Sequence, residues 1–159
     1  QIFLESELFF EGQRPAVNVG LSVSRVGGNA QTKAVKKAVG SLRLDLAQYR
    51  EMEVFMQFAG DLDALTRRQL FYGQGLMRLL RQPQCRPYSQ AEEVLLLTSA
   101  IGRVMQDVPP ARINAFARGL LDSFAEAHPE FAAEIERTGQ LSPELRERIL
   151  EAAKAYRAE

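Results

Sequence analysis

The sequence predicts an all-α fold, a bundle of about six helices preceded by a short lead-in of strand and loop. Two observations support this. From residue 29 onward, apolar residues recur at intervals of three and four, the spacing of one helix face. Before residue 29 the apolar runs are short and broken by glycine and proline, which is typical of strands and loops. We therefore divide the chain into residues 1–28, the incomplete end of one domain, and residues 29–159, a helical domain.

The first predicted helix begins at Asn29, whose side chain is a good cap, and extends over about 28 residues. Gly40 interrupts it and is expected to mark a bend, because glycine weakens a helix interior by about 1 kcal/mol relative to alanine. The apolar face of this helix is predicted to contain Val35, Val39, Leu42, Leu46, Tyr49, Met52 and Met56.

The second and third helices are predicted from their first residues. Asp61 or Asp63 can cap the second helix. Ser89, followed three residues later by Glu92, has the spacing of a capping box at the start of the third helix. The third helix is expected to end near Gln106. The apolar face of the second helix is predicted to contain Leu65, Leu70, Leu76, Met77 and Leu80.

The last three predicted helices each begin at a proline, a residue that the first turn of a helix tolerates. They start at Pro110, Pro129 and Pro143, and the middle one is expected to end near Gly139. Ser142, directly before the last of these prolines, is a good cap.

Composition limits the classes of function. The 20 basic and 20 acidic residues cancel, so net charge gives no argument for a nucleic-acid partner. No apolar run approaches the roughly 18 residues of a membrane span, and direct membrane insertion is not expected. A single cysteine excludes an internal disulfide and favours a reducing compartment. The first residue is Gln1, in a strand-like run without a signal-peptide pattern, and we expect the polypeptide to derive from a longer one.

Metal and nucleophilic chemistry are not indicated. His128 and Cys85 lack the closely spaced partners that zinc sites use, so we interpret the histidine as a surface or cap residue and the cysteine as an ordinary thiol. The phosphate-binding motif Gly-x-x-x-x-Gly-Lys-Ser/Thr does not occur. The chain alone is therefore not expected to hydrolyse ATP.

Charged residues near the first two helices have two interpretations each. Asp61 and Asp63 suit the positive end of a helix dipole, and contact with a protein partner is the alternative. A basic group near the first helix lacks the interleaved aromatics of single-strand nucleic-acid binders, which favours a solvated or subunit-facing surface. This group consists of Lys33, Lys36, Lys37 and Arg43.

Arg25 has the most unusual setting of the basic residues. It ends a run of small and β-branched residues and is followed closely by the pair Gly27–Gly28 and the predicted helix start. We expect a rigid, closely approached position from which an arginine can be held towards a neighbouring site.

The segment Pro15-Ala-Val-Asn-Val-Gly-Leu-Ser-Val-Ser24 resembles the signature shared by the alpha and beta subunits of rotary ATPases. Four further strings are similar to the alpha subunit of F-type (proton-translocating) ATP synthases: Ser22–Gly27, Ala30–Lys33, Leu46–Glu51 and Gln57–Asp63. The longer acidic loop of the beta subunit is absent from the last of these strings. The resemblance covers essentially the whole chain, with its motifs in the right order.

The resemblance implies a C-terminal fragment of a subunit that has a β-barrel, a P-loop nucleotide-binding domain and a helical C-terminal domain. Residues 1–28 would then end the nucleotide-binding domain. Alpha subunits alternate with catalytic beta subunits in a ring around the central-stalk gamma subunit, and they bind ATP or ADP with Mg²⁺ without turning it over. The ring lies on the cytoplasmic side of an energy-transducing membrane, such as the bacterial inner membrane, as a peripheral complex. The isolated fragment is expected to be inactive and to hold no nucleotide tightly.

The resemblance also assigns site residues. Arg25 matches the arginine that alpha contributes across the interface to the beta catalytic site. Arg14-Pro15, Gln82 and Gln84 match positions around the adenine of alpha's own nucleotide. Cys85 departs from the family pattern, in which an aromatic residue is common there. The loop Phe58–Asp63 matches a region that faces the central stalk.

Two alternatives remain open. A stand-alone helical interaction module would bind a partner without nucleotide chemistry. A subunit of a related hexameric ATPase, from a secretion system or a vacuolar-type enzyme, would share part of the signature. The strings Ser22–Gly27 and Leu46–Glu51 argue against the second alternative.

Overall fold

The structure is a computed structural model that describes residues 1–56 and 63–158. Its helices are α1 (Ser6–Phe10), α2 (Arg25–Ala30), α3 (Lys33–Val39), α4 (Leu42–Met56), α5 (Ala64–Leu79), α6 (Gln90–Ile101), α7 (Ile113–Ala127), α8 (Pro129–Thr138) and α9 (Pro143–Ala158), and Pro110–Arg112 forms a 3-10 turn. Within the described ranges, six of these helices, α4 to α9, have ten residues or more. The predicted all-α fold is therefore confirmed.

The lead-in, residues 1–24, differs from its prediction. Its extended part is one antiparallel bridge between Leu4 and Val17, which leaves the strand expectation confirmed only at that pair. The run that ends at Phe10 forms the short helix α1 instead of a strand. Leu8 is buried, while Phe10, two residues later, stays 84% exposed. The two residues therefore do not share a face as they would in a strand.

The single first helix of the prediction is in fact three helices. Asn29 lies inside α2 and does not cap the helical domain, so that assignment was wrong. Gln31 is extended, and Thr32 caps α3 by accepting a hydrogen bond from the Val35 amide at 3.4 Å. Gly40 has a φ of +39° and ends α3 outright. Four residues of the predicted apolar face, Val35, Leu42, Leu46 and Tyr49, are nevertheless buried.

The caps of α5 and α6 are those that the sequence predicts. Asp63 accepts hydrogen bonds from the amides of Leu65 and Thr66 at 2.8 and 2.9 Å. Ser89 and Glu92 form a complete capping box. Asp61 lies outside the described residues.

Two details of α5 and α6 were wrong in the prediction. Leu65 is 78% exposed, because it lies in the first turn of α5 beyond the packed part of that helix. The third helix ends at Ile101 and not near Gln106. Gly102 follows it, and a Cβ there would lie 2.2 Å from a methyl group of Leu150 and 3.0 Å from the Thr98 carbonyl oxygen, so a larger residue would require the Leu150 side chain to move. Arg103 then adopts a φ of +62° and the chain turns away.

The later helices begin and end where the sequence predicts. Pro110 opens the 3-10 turn that leads into α7, and Pro129 is the first residue of α8. Gly139, with a φ of +62°, ends α8 in the left-handed conformation. The Ser142 hydroxyl accepts a hydrogen bond from the Leu145 amide at 3.0 Å at the start of α9.

Helix α6 is the centre of the core. It packs against α3, α7, α8 and α9, and it is buried on most of its circumference. Helices α4 and α5 pack against each other and join the core through α7. The largest buried side chains near this centre are Val94, Leu120, Phe131, Ile135, Leu145 and Ile149. Packing in the core thus fixes the end of α5 and the start of α6. The loop between them contains Gln82 and Gln84, part of the candidate site.

Candidate functional site

Arg25 is the first residue of α2 and is exposed. Ser24 precedes it and caps the helix, with its hydroxyl 2.9 Å from the Gly27 amide. Among residues 1–56 and 63–158, no group hydrogen-bonds or pairs with the Arg25 guanidinium. A cation at a helix N-terminus opposes the helix dipole, so helix stability does not account for this arginine.

Gly27, two residues after Arg25, is needed for the Ser24 cap of α2. A Cβ at Gly27 would lie 2.9 Å from the Ser24 hydroxyl oxygen, so a larger residue would disturb the hydrogen bond that fixes the turn. The expected rigid setting of Arg25 thus has a local origin in the Ser24–Gly27 pair.

Arg43 fixes the segment before Arg25 to the helical body. Its guanidinium donates to the carbonyl oxygen of Val19 at 2.7 Å and also to that of Ser22. The guanidinium of this one α4 residue thereby provides hydrogen-bond donors for two loop carbonyls. This basic residue is therefore committed to a structural contact.

The lysines of the basic group also contact the protein. Lys37 donates to the Leu141 carbonyl at 3.1 Å, which ties α3 to the turn before α9. Lys36 donates to the Asn29 carbonyl at 3.4 Å. Lys33 is exposed at the start of α3. The interpretation of these residues as a solvated or subunit-facing surface stays a prediction.

The structure brings the two parts of the proposed adenine surroundings together. The Gln82 amide donates to the Arg14 carbonyl at 2.9 Å, so the segment Arg14–Pro15 lies against the end of α5. The Arg14 guanidinium stacks on the Phe9 ring, 4.2 Å from its centroid. Arg14, Pro15, Gln82 and Gln84 are all exposed.

Two residues that the sequence analysis missed hold this arrangement. The Arg81 Nε donates to Gln13 Oε1 at 3.1 Å, and its Nη2 donates to the Glu11 carbonyl at 3.3 Å. Gln13 is only 5% exposed. Burial, and next the nearby Arg78, lower the pKa of Arg81, while Glu11 acts in the opposite direction. No spacing rule could have found a pair 68 positions apart, although both flank predicted site residues.

Arg25 makes no direct contact with the residues predicted to surround an adenine. Within the described part of the chain, no hydrogen bond, ion pair or ring contact joins Arg25 to Arg14 or Gln82. Cys85, beside Gln84, is an exposed free thiol with a φ of +59°. The predicted stalk-facing loop Phe58–Asp63 lies outside the described residues except for Asp63.

His128 lies at the junction of α7 and α8. Its ring stacks on Phe131 with centroids 4.8 Å apart, and its Nδ1 is 3.5 Å from Glu130 Oε1. Its side chain makes no capping hydrogen bond. In the described ranges, no three His, Cys, Asp or Glu residues are grouped so that they could hold a metal ion.

The described helices include none that is both long and apolar enough to cross a membrane.

Fold and site together define an all-α domain with an exposed arginine at the start of α2 and a loop after α5 that is hydrogen-bonded to the lead-in. The chain belongs to the family described as ATP synthase alpha/beta chain, C terminal domain, whose model matches residues 31–156. It is 45% identical over 157 residues to the ATP synthase subunit alpha of two strains of Clostridium kluyveri. That match covers 99% of this chain, and the chain spans 31% of the length of these relatives. The predicted resemblance to the alpha subunit is confirmed.

Proposed function

We propose that this chain acts as the C-terminal part of a non-catalytic, nucleotide-binding alpha subunit of an ATP synthase. Residues 29–159 are its helical C-terminal domain, and residues 1–28 are the end of its nucleotide-binding domain. The 45% identity to ATP synthase subunit alpha supports this proposal. The whole complex couples proton flow to ATP synthesis or hydrolysis.

Arg25 is the residue that this proposal places in catalysis, as an arginine finger in trans on the neighbouring beta subunit. The supporting observation is its exposed guanidinium, which has no partner among the described residues, on a segment fixed by the Ser24 cap and by Arg43. Because the backbone on either side is already fixed, binding a ligand would order only the arginine side chain itself.

The chemistry follows from the guanidinium. Its planar, permanently charged fork can donate two hydrogen bonds to oxygens of the γ-phosphate region. Negative charge spreads over these oxygens as the phosphoryl group is transferred, so the contact strengthens in the transition state. Such arginines typically accelerate transfer by about 10³–10⁵.

Substitution of Arg25 tests the assignment in the assembled complex. We expect Arg25→Lys to lower multisite ATP hydrolysis by about 10³ or more, because an ammonium cannot reproduce the bidentate fork. Steady-state hydrolysis and gel filtration of the complex measure rate and assembly separately.

Arg118→Lys is a matched control, since Arg118 is an exposed arginine of α7 on the helical body. It should leave hydrolysis unchanged. If Arg25→Lys turned over within about tenfold of wild type with assembly intact, the catalytic role would be abandoned.

For nucleotide binding by alpha itself, we propose that Arg14, Pro15, Gln82 and Gln84 surround the adenine of ATP or ADP, which carries Mg²⁺ in the full subunit. The Arg14–Gln82 hydrogen bond supports this, because it brings residues from two parts of the chain to one place. Glutamine side chains offer the donor and acceptor that a purine edge needs.

This chain lacks a phosphate-binding loop. Calorimetry of the 159-residue chain with MgATP should therefore show no tight binding. Tight binding would contradict the proposal that the phosphate groups of the nucleotide are bound by a part of the subunit outside this chain.

The proposed partners are the beta subunits on either side and the central-stalk gamma subunit, on the cytoplasmic side of an energy-transducing membrane such as the bacterial inner membrane. Exposed apolar side chains of the lead-in and α2 support protein contacts there: Ile2, Leu4, Phe10, Val23 and Val26 are between 61% and 84% exposed. A stand-alone interaction module would use the same surface. Identity to alpha subunits favours the ring over that alternative and over a related secretion or vacuolar-type ATPase.

A further inference from the structure

A cleft of about 460 Å³ lies between α1, α4 and α5, and its lining includes none of the residues proposed to contact nucleotide. Its volume is in the range of small-molecule sites. One wall carries Glu7 and Glu11, four residues apart and hence one helical turn from each other. The opposite charge comes from α5 and the residues after it, where Arg78 and Arg81 are three residues apart.

These charges do not neutralise one another directly. The Arg78 guanidinium makes no hydrogen bond or ion pair with any other residue of the described ranges. Arg81 donates to the backbone carbonyl of Glu11 and not to its carboxylate. No described cation lies within ion-pair distance of the Glu7 or Glu11 carboxylate. The cleft therefore separates an acidic wall from a basic one.

The basic wall also contains two guanidiniums close enough to repel each other, an effect that Glu11 opposes. Burial first, and the proximity of Arg78 second, lower the pKa of Arg81. An anion between the two guanidiniums would relieve that repulsion. Arg50 of α4 also lines the cleft without a partner among the described residues, so a third guanidinium is available.

The remaining lining includes apolar side chains and a hydrogen-bonded pair. Leu8 and Met77 supply apolar surface. The Tyr49 hydroxyl donates to Glu53 Oε1 at 2.6 Å, so this pair is internally satisfied. A ligand in the cleft would thus meet carboxylates, guanidiniums and apolar side chains.

We propose that this cleft binds a small zwitterion, a free amino acid or short peptide. Its carboxylate would lie at Arg78, and its ammonium group at Glu7 and Glu11. A carboxylate matches the planar fork of arginine, and a carboxylate pair matches an ammonium group. A phosphate-rich ligand fits less well, because the acidic wall would repel it. The inference is independent of the nucleotide chemistry proposed above.

The dipeptide alanylleucine with free termini is the probe, added to the 159-residue chain and followed by calorimetry and amide NMR shifts. We expect saturable binding with a Kd of about 1 mM or tighter, as the size of the probe allows. The N-acetylated and the C-amidated dipeptide should each bind about tenfold more weakly, because each lacks one charge.

Two variants assign the ends of the probe. Arg78→Gln should remove the difference between the free acid and the amide, and Glu11→Gln should reduce the difference between the free and acetylated amine. Arg146→Gln, an exposed arginine on α9, is the matched control and should bind like wild type.

Equal binding of the three dipeptides, or no saturation with any of them, would overturn the proposal. So would a result in which Arg78→Gln and Glu11→Gln bind the probe as wild type does. If the walls instead close on each other in solution, a double-mutant cycle of Glu11 and Arg78 would show coupled stability without ligand binding, and this too would refute the site.

Discussion

At the scale of single residues, several positions are decided by what lies within a few ångströms. Helices α4 and α5 approach so closely that a Cβ at Gly73 would lie 2.3 Å from the Tyr49 ring. Burial, with the hydrogen bond to Glu53 next in importance, raises the pKa of the Tyr49 hydroxyl, so this tyrosine stays neutral at ordinary pH. Glycine at position 73 therefore serves packing and not flexibility.

Gly73→Ala is expected to destabilise the protein by about 1–3 kcal/mol, because overpacking outweighs the gain of about 1 kcal/mol in helix propensity. Urea unfolding followed by circular dichroism measures the change. Gly28→Ala is the control, since a Cβ there meets nothing within 4 Å. Equal effects at both positions would show that the ring contact does not govern position 73.

Asp63, the cap of α5, has a lowered pKa whose cause can be tested by substitution. The Thr66 hydroxyl, 2.7 Å from Asp63 Oδ2, is the largest cause that lowers the pKa of Asp63 below its ordinary 3.8, and backbone amides add to it. The ionised cap therefore stabilises the fold above the unfolded pKa and loses this effect as the pH falls through the lower folded pKa. Thr66→Val should raise the pKa of Asp63 towards 3.8, measured by NMR titration of its carboxyl carbon.

Thr98→Val provides the comparison for this titration. The Thr98 hydroxyl is buried in α6 without a partner among the described residues, so its loss should not move the pKa of Asp63. A pKa of Asp63 that stays the same in Thr66→Val would show that the backbone amides alone hold the charge.

At the scale of helices, start signals could be predicted and interruptions could not. Ser89, Pro129 and Ser142 begin helices because their capping or φ preference is local and does not depend on the fold. The division of residues 25–56 into three helices depends on two breaks, the extended Gln31 and Gly40 with its positive φ. Periodicity alone could not show that division, since Val35, Leu42 and Leu46 are buried on both sides of Gly40.

The break at Gly40 predicts the sign of a substitution. In a continuous helix, Gly40→Ala would stabilise the protein by about 1 kcal/mol. At a φ of +39° we expect it to destabilise the protein by about 1–2 kcal/mol, because alanine is strained there. Gln31→Ala, at the exposed break between α2 and α3, should change stability by less than about 0.5 kcal/mol. Thermal unfolding of the three proteins distinguishes the two cases.

At the scale of the whole molecule, a well-packed helical body carries a lead-in attached by polar contacts. The body buries its core around α6, whereas the lead-in is held by Arg43, by Arg81 with Gln13, and by the Arg14–Gln82 hydrogen bond. Of the candidate site residues, Arg14 and Pro15 lie on this lead-in, whereas Arg25 begins α2 and Gln82 and Gln84 follow α5. The setting of Arg25 could be predicted from its local sequence, because the Ser24 cap is local. The roles proposed for Arg25, Arg14 and Gln82 come only from resemblance, and the contact that brings Arg14 and Gln82 together joins residues far apart in the chain.

This arrangement predicts unequal protection against hydrogen exchange. Arg43→Gln should speed amide exchange in residues 19–24 by about tenfold or more, because the carbonyls of Val19 and Ser22 lose their donor. Exchange in α6 should not change. Exchange mass spectrometry resolves the two segments, and uniform acceleration would mean that the lead-in and the body open as one unit.

The hydrogen bond between the Gln82 amide and the Arg14 carbonyl also sets where the chain can accept length changes. Gln82 follows α5 within three residues, so an insertion between Leu79 and Gln82 would pull the amide away from the lead-in. The exposed residues 83–87 carry no such tie in the described structure, and an extra loop there would leave both sides in place. A tag or sensor domain grafted into this molecule therefore belongs after Gln84 and not before Gln82.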